Sequence, residues 1–158
     1  MRLWICVWAA IAFVPGCDTV RNPLRHVSRP LAKSAKFDLY LVSPTKLPGC
    51  KVATDPNGGG ALYLITPPVI SAADVAAVKR SEDTSDAASL LFKLTPVGAR
   101  KLSRATAKPG KIAVEVDGKV LMTANVHAPL SEAFEVTGGA FAKDQEKWFR
   151  ALTEESTP

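Results

Sequence analysis

The stretch Ala88-Ser89-Leu90-Leu91-Phe92-Lys93-Leu94-Thr95-Pro96-Val97-Gly98-Ala99-Arg100-Lys101-Leu102, continued to Phe141, decides the fold. Ala88 to Leu94 reads as a strand. Thr95 followed by Pro96 then reads as a helix N-cap with proline in the first turn, where its missing N–H costs nothing. Val97, Leu102 and Ala105 are the expected buried stripe of that helix, and Arg100, Arg104 and Lys108 recur every fourth residue on the opposite face. Lys108-Pro109-Gly110 stops it. Ile112, Val114 and Val116 alternate up to Asp117-Gly118, a pair that signals a two-residue hairpin turn. That turn is expected to set Leu121 opposite Val114. The hairpin's other face carries Ala113, Val120, Met122 and Ala124, so the sheet is apolar on both sides and is either covered or open to a partner.

Outward from this block, His127-Ala128-Pro129 turns the chain and Phe134-Glu135-Val136 forms a short closing strand. Thr137-Gly138-Gly139 makes a bend or bulge. Lys143 to Glu155 reads as an amphipathic helix with Trp148, Phe149 and Leu152 inward. Upstream, Phe37 to Val42 alternates like a strand, stopped by Ser43-Pro44. Lys46 to Gly60 reads as loop, punctuated by Pro48-Gly49 and by Asp55-Pro56-Asn57-Gly58-Gly59-Gly60. Ala61 to Thr66 is a strand ended by Pro67-Pro68. Ser71 to Asp74 starts a brief helical step, and Val75 to Arg80 extends again. The expected class is α+β, a small mostly antiparallel sheet packed against two helices over residues 37–155.

The N-terminal end supplies a location. Met1-Arg2 precedes Leu3 to Val14, an uncharged apolar run too short to span a bilayer as a stable helix and of the length of a signal-peptide core. Val14-Pro15-Gly16-Cys17 resembles a bacterial lipobox, in which an aliphatic and two small residues precede a lipidated cysteine. Val14 and Gly16 match it, and Pro15 is an unusual occupant. Residues 1–16 are therefore expected to be a lipoprotein-type signal peptide, with Cys17 acylated and membrane lipid as its partner. A diacyl or triacyl cysteine supplies the more-than-one buried chain that stable anchoring requires. Asp18 looks like a retention signal for the inner membrane in some Gram-negative sorting systems. Residues 18–36 hold Pro23, Pro30, Arg21, Arg25, His26, Arg29, Lys33 and Lys36 without hydrophobic period. They read as a tether, either lying against anionic headgroups at about 1 kcal/mol per basic residue or acting as a solvated linker. The chain is thus placed in the bacterial cell envelope, facing the periplasm or exterior.

Composition narrows the function classes. The 158 residues carry a formal charge of +5, with 47% hydrophobic and 22% charged side chains, the profile of one globular domain with appendages. No aromatics interleave with the basic residues, so nothing reads as a nucleic-acid surface. The three glycines after Asn57 are not followed by Gly-Lys-Ser/Thr, and no nucleotide loop is expected. Neither histidine, His26 or His127, falls at metal-ligand spacing with Cys50, which is an odd thiol in the domain. No Gly-x-Ser-x-Gly occurs, and Asp117 and Glu115 sit where hairpin chemistry accounts for the aspartate. Catalytic residues, metal and cofactor are all expected to be absent. A non-catalytic binding module fits best, with a lineage-specific envelope structural protein and a small hydrolase as the alternatives. Its possible partner surfaces are Arg100, Arg104 and Lys108 on the helix, or Val120 and Met122 on the hairpin.

Several motifs in this order resemble the head region of the first large periplasmic domain of SecD and SecDF, accessory subunits of the Sec protein-export machine. In that family a Val-Ser-Leu-x-Phe strand leads into Thr-x-x-Gly-Ala-Arg; here it is Ala88-Ser89-Leu90-Leu91-Phe92, then Thr95 to Arg100. A threonine closing the helix corresponds to Thr106. The Gly-x-x-Ala-Ile-x-x-Asp-Gly-x-Val hairpin corresponds to Gly110 through Val120, and Ile-x-Gly-Gly-Phe to Val136-Thr137-Gly138-Gly139-Ala140-Phe141. Leu62-Tyr63-Leu64 and Val69 to Asp74 match more loosely upstream. The family's proline after the hairpin is replaced by Ala124-Asn125. The resemblance implies an α+β head fold, extracytoplasmic placement, and contact with unfolded or membrane-associated protein. Proton-driven pulling in that family uses membrane-spanning helices, which this sequence lacks, so export activity is not implied.

Overall fold

The computed structural model describes residues 28–81, 89–137 and 144–154. The apolar leader, Cys17, His26 and the bend at Gly138-Gly139 lie outside them. In chain order the elements are β1 (Ser28–Arg29), β2 (Phe37–Ser43), β3 (Lys51–Thr54), β4 (Ala61–Leu64), β5 (Ile70–Ser71) and a 3₁₀ turn (Ala72–Asp74). They continue with β6 (Val75–Ser81), β7 (Ser89–Leu94), α1 (Pro96–Ala105), β8 (Gly110–Val116), β9 (Lys119–Val126), β10 (Ala133–Thr137) and α2 (Gln145–Thr153).

The class is α+β and every described strand pairing is antiparallel. The strands divide between two sheets rather than forming one. A four-stranded sheet runs β1-β6-β7-β10, and a six-stranded one runs β3-β4-β2-β8-β9 with β5 paired to β2. Alternation explains the division. The inward residues Leu90, Phe92 and Leu94 of β7 face Phe37 and Leu39 of β2 and Ile112, Val114 and Val116 of β8 in one core, closed by Leu102 of α1 and by Trp148, Phe149 and Leu152 of α2. Phe37, Phe92 and Phe134 join the sheets, with ring centroids 4.8 and 5.1 Å apart for the closer pairs; such contacts add about 0.5–1.5 kcal/mol each beyond their buried area.

The hairpin turns on Asp117-Gly118 as expected, with positive φ at both residues (50° and 76°). Its register differs from the expected one. Val114 pairs with Met122, and a shift between Val114 and Glu115 makes Leu121 an extra, bulged residue. Period-2 alternation reads straight through a bulge, which is why the sequence missed it.

Four further expectations are corrected. Lys51–Thr54 lies in the presumed loop but forms β3, a short and largely exposed edge strand whose sequence carries no apolar alternation. The segment before Phe37 is not all tether: β1 pairs with β6, the Ala32 N–H donates to the Leu152 carbonyl (2.8 Å), and Ala35 is buried. Val97 is half exposed, and the helix approaches the 3₁₀ turn through Gly98 instead. Lys108 lies beyond α1, which ends at Ala105 with Thr106 as its C-cap, so it continues the basic row from the following turn.

Candidate functional site

Three surfaces hold the residues singled out in the sequence. The first is the far face of the six-stranded sheet. Tyr40, Ala113 and Val120 pack there with Leu62 and Leu64 in a second, smaller core, because the β3–β4 hairpin curls over this face. Its fastenings are polar. The Lys51 ammonium donates to both Glu115 carboxylate oxygens (2.6 and 2.7 Å), Lys111 pairs with Asp55 (2.9 Å), and Asn57 Nδ2 donates to Thr123 Oγ1 (3.2 Å). Val120 is thereby buried, and the second apolar face of the hairpin is covered by the chain's own strands. Val120 is not an open partner surface.

Asp38 and Glu115 are register partners across β2 and β8 on this face. Burial, and then the Glu115 carboxylate, push Asp38 above the ordinary carboxylate range against the pull of Lys51 and Tyr40. Burial raises the Tyr40 hydroxyl likewise, followed by the Asp38 and Glu115 charges. The hydrogen bond to Glu115 raises Lys51 despite partial burial. The grouping serves the fold, since the buried Glu115 is satisfied by Lys51 and no polar side-chain atom in the described interior lacks a partner.

The second surface is a groove of about 310 Å³ between β9 and β10, the outer strands of the two sheets. Ile112, Val114, Met122, Val126, Phe134 and Val136 line it, and the turn from His127 to Leu130 closes one end. Met122 lies opposite Val114 across the bulge and so faces the main-core side, away from Val120, with which the sequence grouped it. It lines a cleft between two sheets, whereas the sequence suggested a flat hairpin face. The turn is set by Thr106, whose hydroxyl donates to the Leu102 carbonyl (2.8 Å) and accepts from the Leu130 N–H (2.9 Å). Glu135 borders the groove and is held by the Ser89 hydroxyl. His127 is exposed at the rim.

The third surface is α1. Arg100 and Arg104 are exposed on it and Lys108 just after it. The Thr95 hydroxyl caps the helix by accepting from the Gly98 N–H (3.1 Å). Lys101 reaches back to the buried Asp74 (2.8 and 2.9 Å), which also accepts from the Ser71 N–H. Burial works to raise Asp74, but Lys101 and Ser71 together hold it below the usual carboxylate range.

Among the described residues no group of three or more His, Cys, Asp or Glu side chains is placed to hold a metal. Cys50 is a free, half-buried thiol. No helix among them is long and apolar enough to cross a membrane. Sequence reasoning missed the groove and the β3–β4 cover, since both depend on strands meeting across long separations.

Two antiparallel sheets closed by two helices, with an apolar cleft between their outer strands, make up an α+β domain whose fold is like that of solved SecDF structures. The solved structure described as "Structure and function of a membrane component SecDF that enhances protein export" matches at a TM-score of 0.53 and 16% identity, over 78% of this chain and 69% of that one. A second, "Crystal structure of SecDF in Super-membrane-facing form", matches at 0.51 and 17% identity, over 70% of this chain and 17% of the other. The chain thus corresponds to a small part of the longer SecDF chain. No family profile and no curated protein matches it in sequence. The SecDF-like fold expected from the motifs between Ala88 and about Lys147 is the fold observed.

Proposed function

We propose that this chain is a non-catalytic binding module of the bacterial cell envelope, held to the membrane by acylated Cys17, whose groove between β9 and β10 takes extended apolar segments of unfolded polypeptide. The observation that carries the reading is the groove. Its floor is aliphatic and aromatic, and it lies between the outer strands of two sheets, where an extended segment can add main-chain hydrogen bonds to side-chain burial. The likeness to a membrane component that enhances protein export supports polypeptide in transit as the class of ligand. The apolar leader ending at Cys17 supports the anchor.

Two experiments test the two halves separately. A photo-crosslinking amino acid in place of Ala128, at the groove's closed end, is exposed to a reduced, carboxymethylated polypeptide and to the same polypeptide natively folded. Crosslinks to the unfolded form alone, lost on Met122→Glu, are expected; equal capture of both forms would refute the groove assignment. Intact mass and fatty-acid labelling should show Cys17 acylated and residues 1–16 removed. Unchanged processing and membrane retention in Cys17→Ser would refute the anchor.

A further inference from the structure

We infer that the exposed face of α1 docks on an anionic lipid surface, so that the domain is oriented by its own helix as well as attached through its N-terminal end. The inference goes beyond the groove reading and does not depend on it.

Val97, Lys101 and Arg104 fall on successive turns of one helix face, with Arg100 beside them and Lys108 extending the row past the helix end. From Pro96 to Lys111 the chain contains no acidic residue. Arg100, Arg104 and Lys108 take part in no ion pair among the described residues, whereas other cations nearby are engaged: Lys101 with Asp74, Lys111 with Asp55. At the N-terminal end of the same face stands Val97, 50% exposed and one of three large apolar side chains left open among the described residues. Cations on long side chains around one apolar residue match an interface of phosphates above acyl chains.

The free cations also favour a lipid surface over an acidic protein. A specific protein contact usually holds its arginines in fixed bidentate geometry. Here no neighbouring side chain fixes the guanidinium of Arg100 or Arg104, which suits headgroups that move laterally. Proximity is provided by the sequence: ten residues lie between Cys17 and Ser28, a reach of about 35–40 Å from one to the other when fully extended. The domain cannot stray far from whatever surface holds its N-terminal end. Each basic residue near an anionic surface favours the docked state about fivefold, from a worth of about 1 kcal/mol. Neutralising three should lower the docked-to-undocked ratio about 100-fold.

The test uses the full chain reconstituted into vesicles of phosphatidylcholine alone, or of phosphatidylcholine with phosphatidylglycerol, with an environment-sensitive fluorescent amino acid replacing Val97. A blue shift on the phosphatidylglycerol vesicles only is expected. It should vanish at about 1 M salt, where the Debye length falls to about 3 Å, and in the Arg100→Gln, Arg104→Gln, Lys108→Gln variant. That variant should keep its thermal midpoint, since all three side chains are exposed. Equal spectra on both vesicle types overturn the inference, as does a shift that survives the triple substitution. A third arm adds soluble polyglutamate, and a shift with polyglutamate but not with anionic vesicles also overturns it, in favour of an acidic protein. Because Val97 is not among the groove-lining residues and position 97 reads lipid directly, failure here leaves the polypeptide crosslinking result standing, and the reverse.

Discussion

Gly98→Ala gives a test in which local propensity and tertiary packing predict opposite signs. In an isolated helix, alanine in place of glycine stabilises by about 0.5–1 kcal/mol. In this fold a Cβ at position 98 would lie 2.5 Å from the Asp74 carbonyl oxygen and 2.9 Å from its Cβ. Neither atom can rotate aside. The Asp74 carbonyl accepts the Thr95 N–H (2.8 Å), and its carboxylate is held by Lys101 and Ser71. The helix must therefore lift from the 3₁₀ turn, at about 1–3 kcal/mol for overpacking, and the Thr95 cap, worth about 1 kcal/mol, is strained with it. A net destabilisation of about 1–3 kcal/mol is expected, which lowers the melting temperature by about 3–10 °C. Urea and thermal unfolding of the pair measure it, with Ser103→Ala on the same helix as a control that should be neutral or mildly stabilising. If Gly98→Ala raises stability as propensity alone predicts, the close approach of α1 to Asp74 is wrong.

Gly118→Val should destabilise by about 1 kcal/mol or more, because φ is +76° there and a β-branched residue is strained in that region even though the space around it is open; an unchanged urea midpoint would contradict the turn. Leu102→Ala, at a fully buried position joining α1 to the main core, should cost about 2–5 kcal/mol by the same measurement, and a loss well under 1 kcal/mol would mean α1 is not docked there. Asp38→Asn should stabilise at neutral pH: burial and Glu115 raise the folded pKa of Asp38 above its unfolded value, so its charge opposes folding at high pH and that opposition disappears as pH falls through the folded pKa. The stabilisation should shrink towards about pH 4, and an advantage that grew on acidification would refute the burial argument. Asp55 and Asp74 have lowered pKa values and act in the opposite sense, their contribution being present above the ordinary carboxylate range and lost as pH falls through the folded values.

Most elements were legible because their signals are local. Thr95-Pro96 caps a helix wherever it folds, and Asp117-Gly118 permits the positive φ values that a two-residue hairpin turn demands. Trp148, Phe149 and Leu152 share one face whatever they pack against. What stayed illegible depends on meetings across the chain. β3 is a strand because it pairs with β4 and its Lys51 reaches Glu115, pairings that the four residues Lys51-Val52-Ala53-Thr54, without apolar alternation, do not announce. Val97 reads as inward because it is apolar and correctly spaced, yet the close approach is made at Gly98, a residue with no side chain to register in any apolar pattern. The two-sided apolar hairpin posed the right question, whether that face is covered, but sequence could not show that the covering element is the next hairpin over rather than a helix.

The residues that carry the SecDF resemblance are accounted for by local structure, and this bears on what the resemblance can transmit. Thr95 caps α1, Gly98 permits its contact with Asp74, Thr106 ties the helix end to the turn at Leu130, and Asp117-Gly118 makes the hairpin. Each is needed wherever this backbone is built, whatever the domain binds. The candidate surfaces are made mainly by other residues: Met122 and Phe134 in the groove, Val97 and Arg104 on the helix, with Arg100 and Val136 belonging to the motifs as well. At 16% identity the fold can persist through the first set while the second is rewritten. A chimera that carried only the first set into an unrelated SecDF-like scaffold should fold without acquiring either binding property, and one that carried the groove lining should acquire the polypeptide contact. That separation is the physical reason for deciding function by experiments on the groove and the helix face, and not by the motifs that revealed the fold.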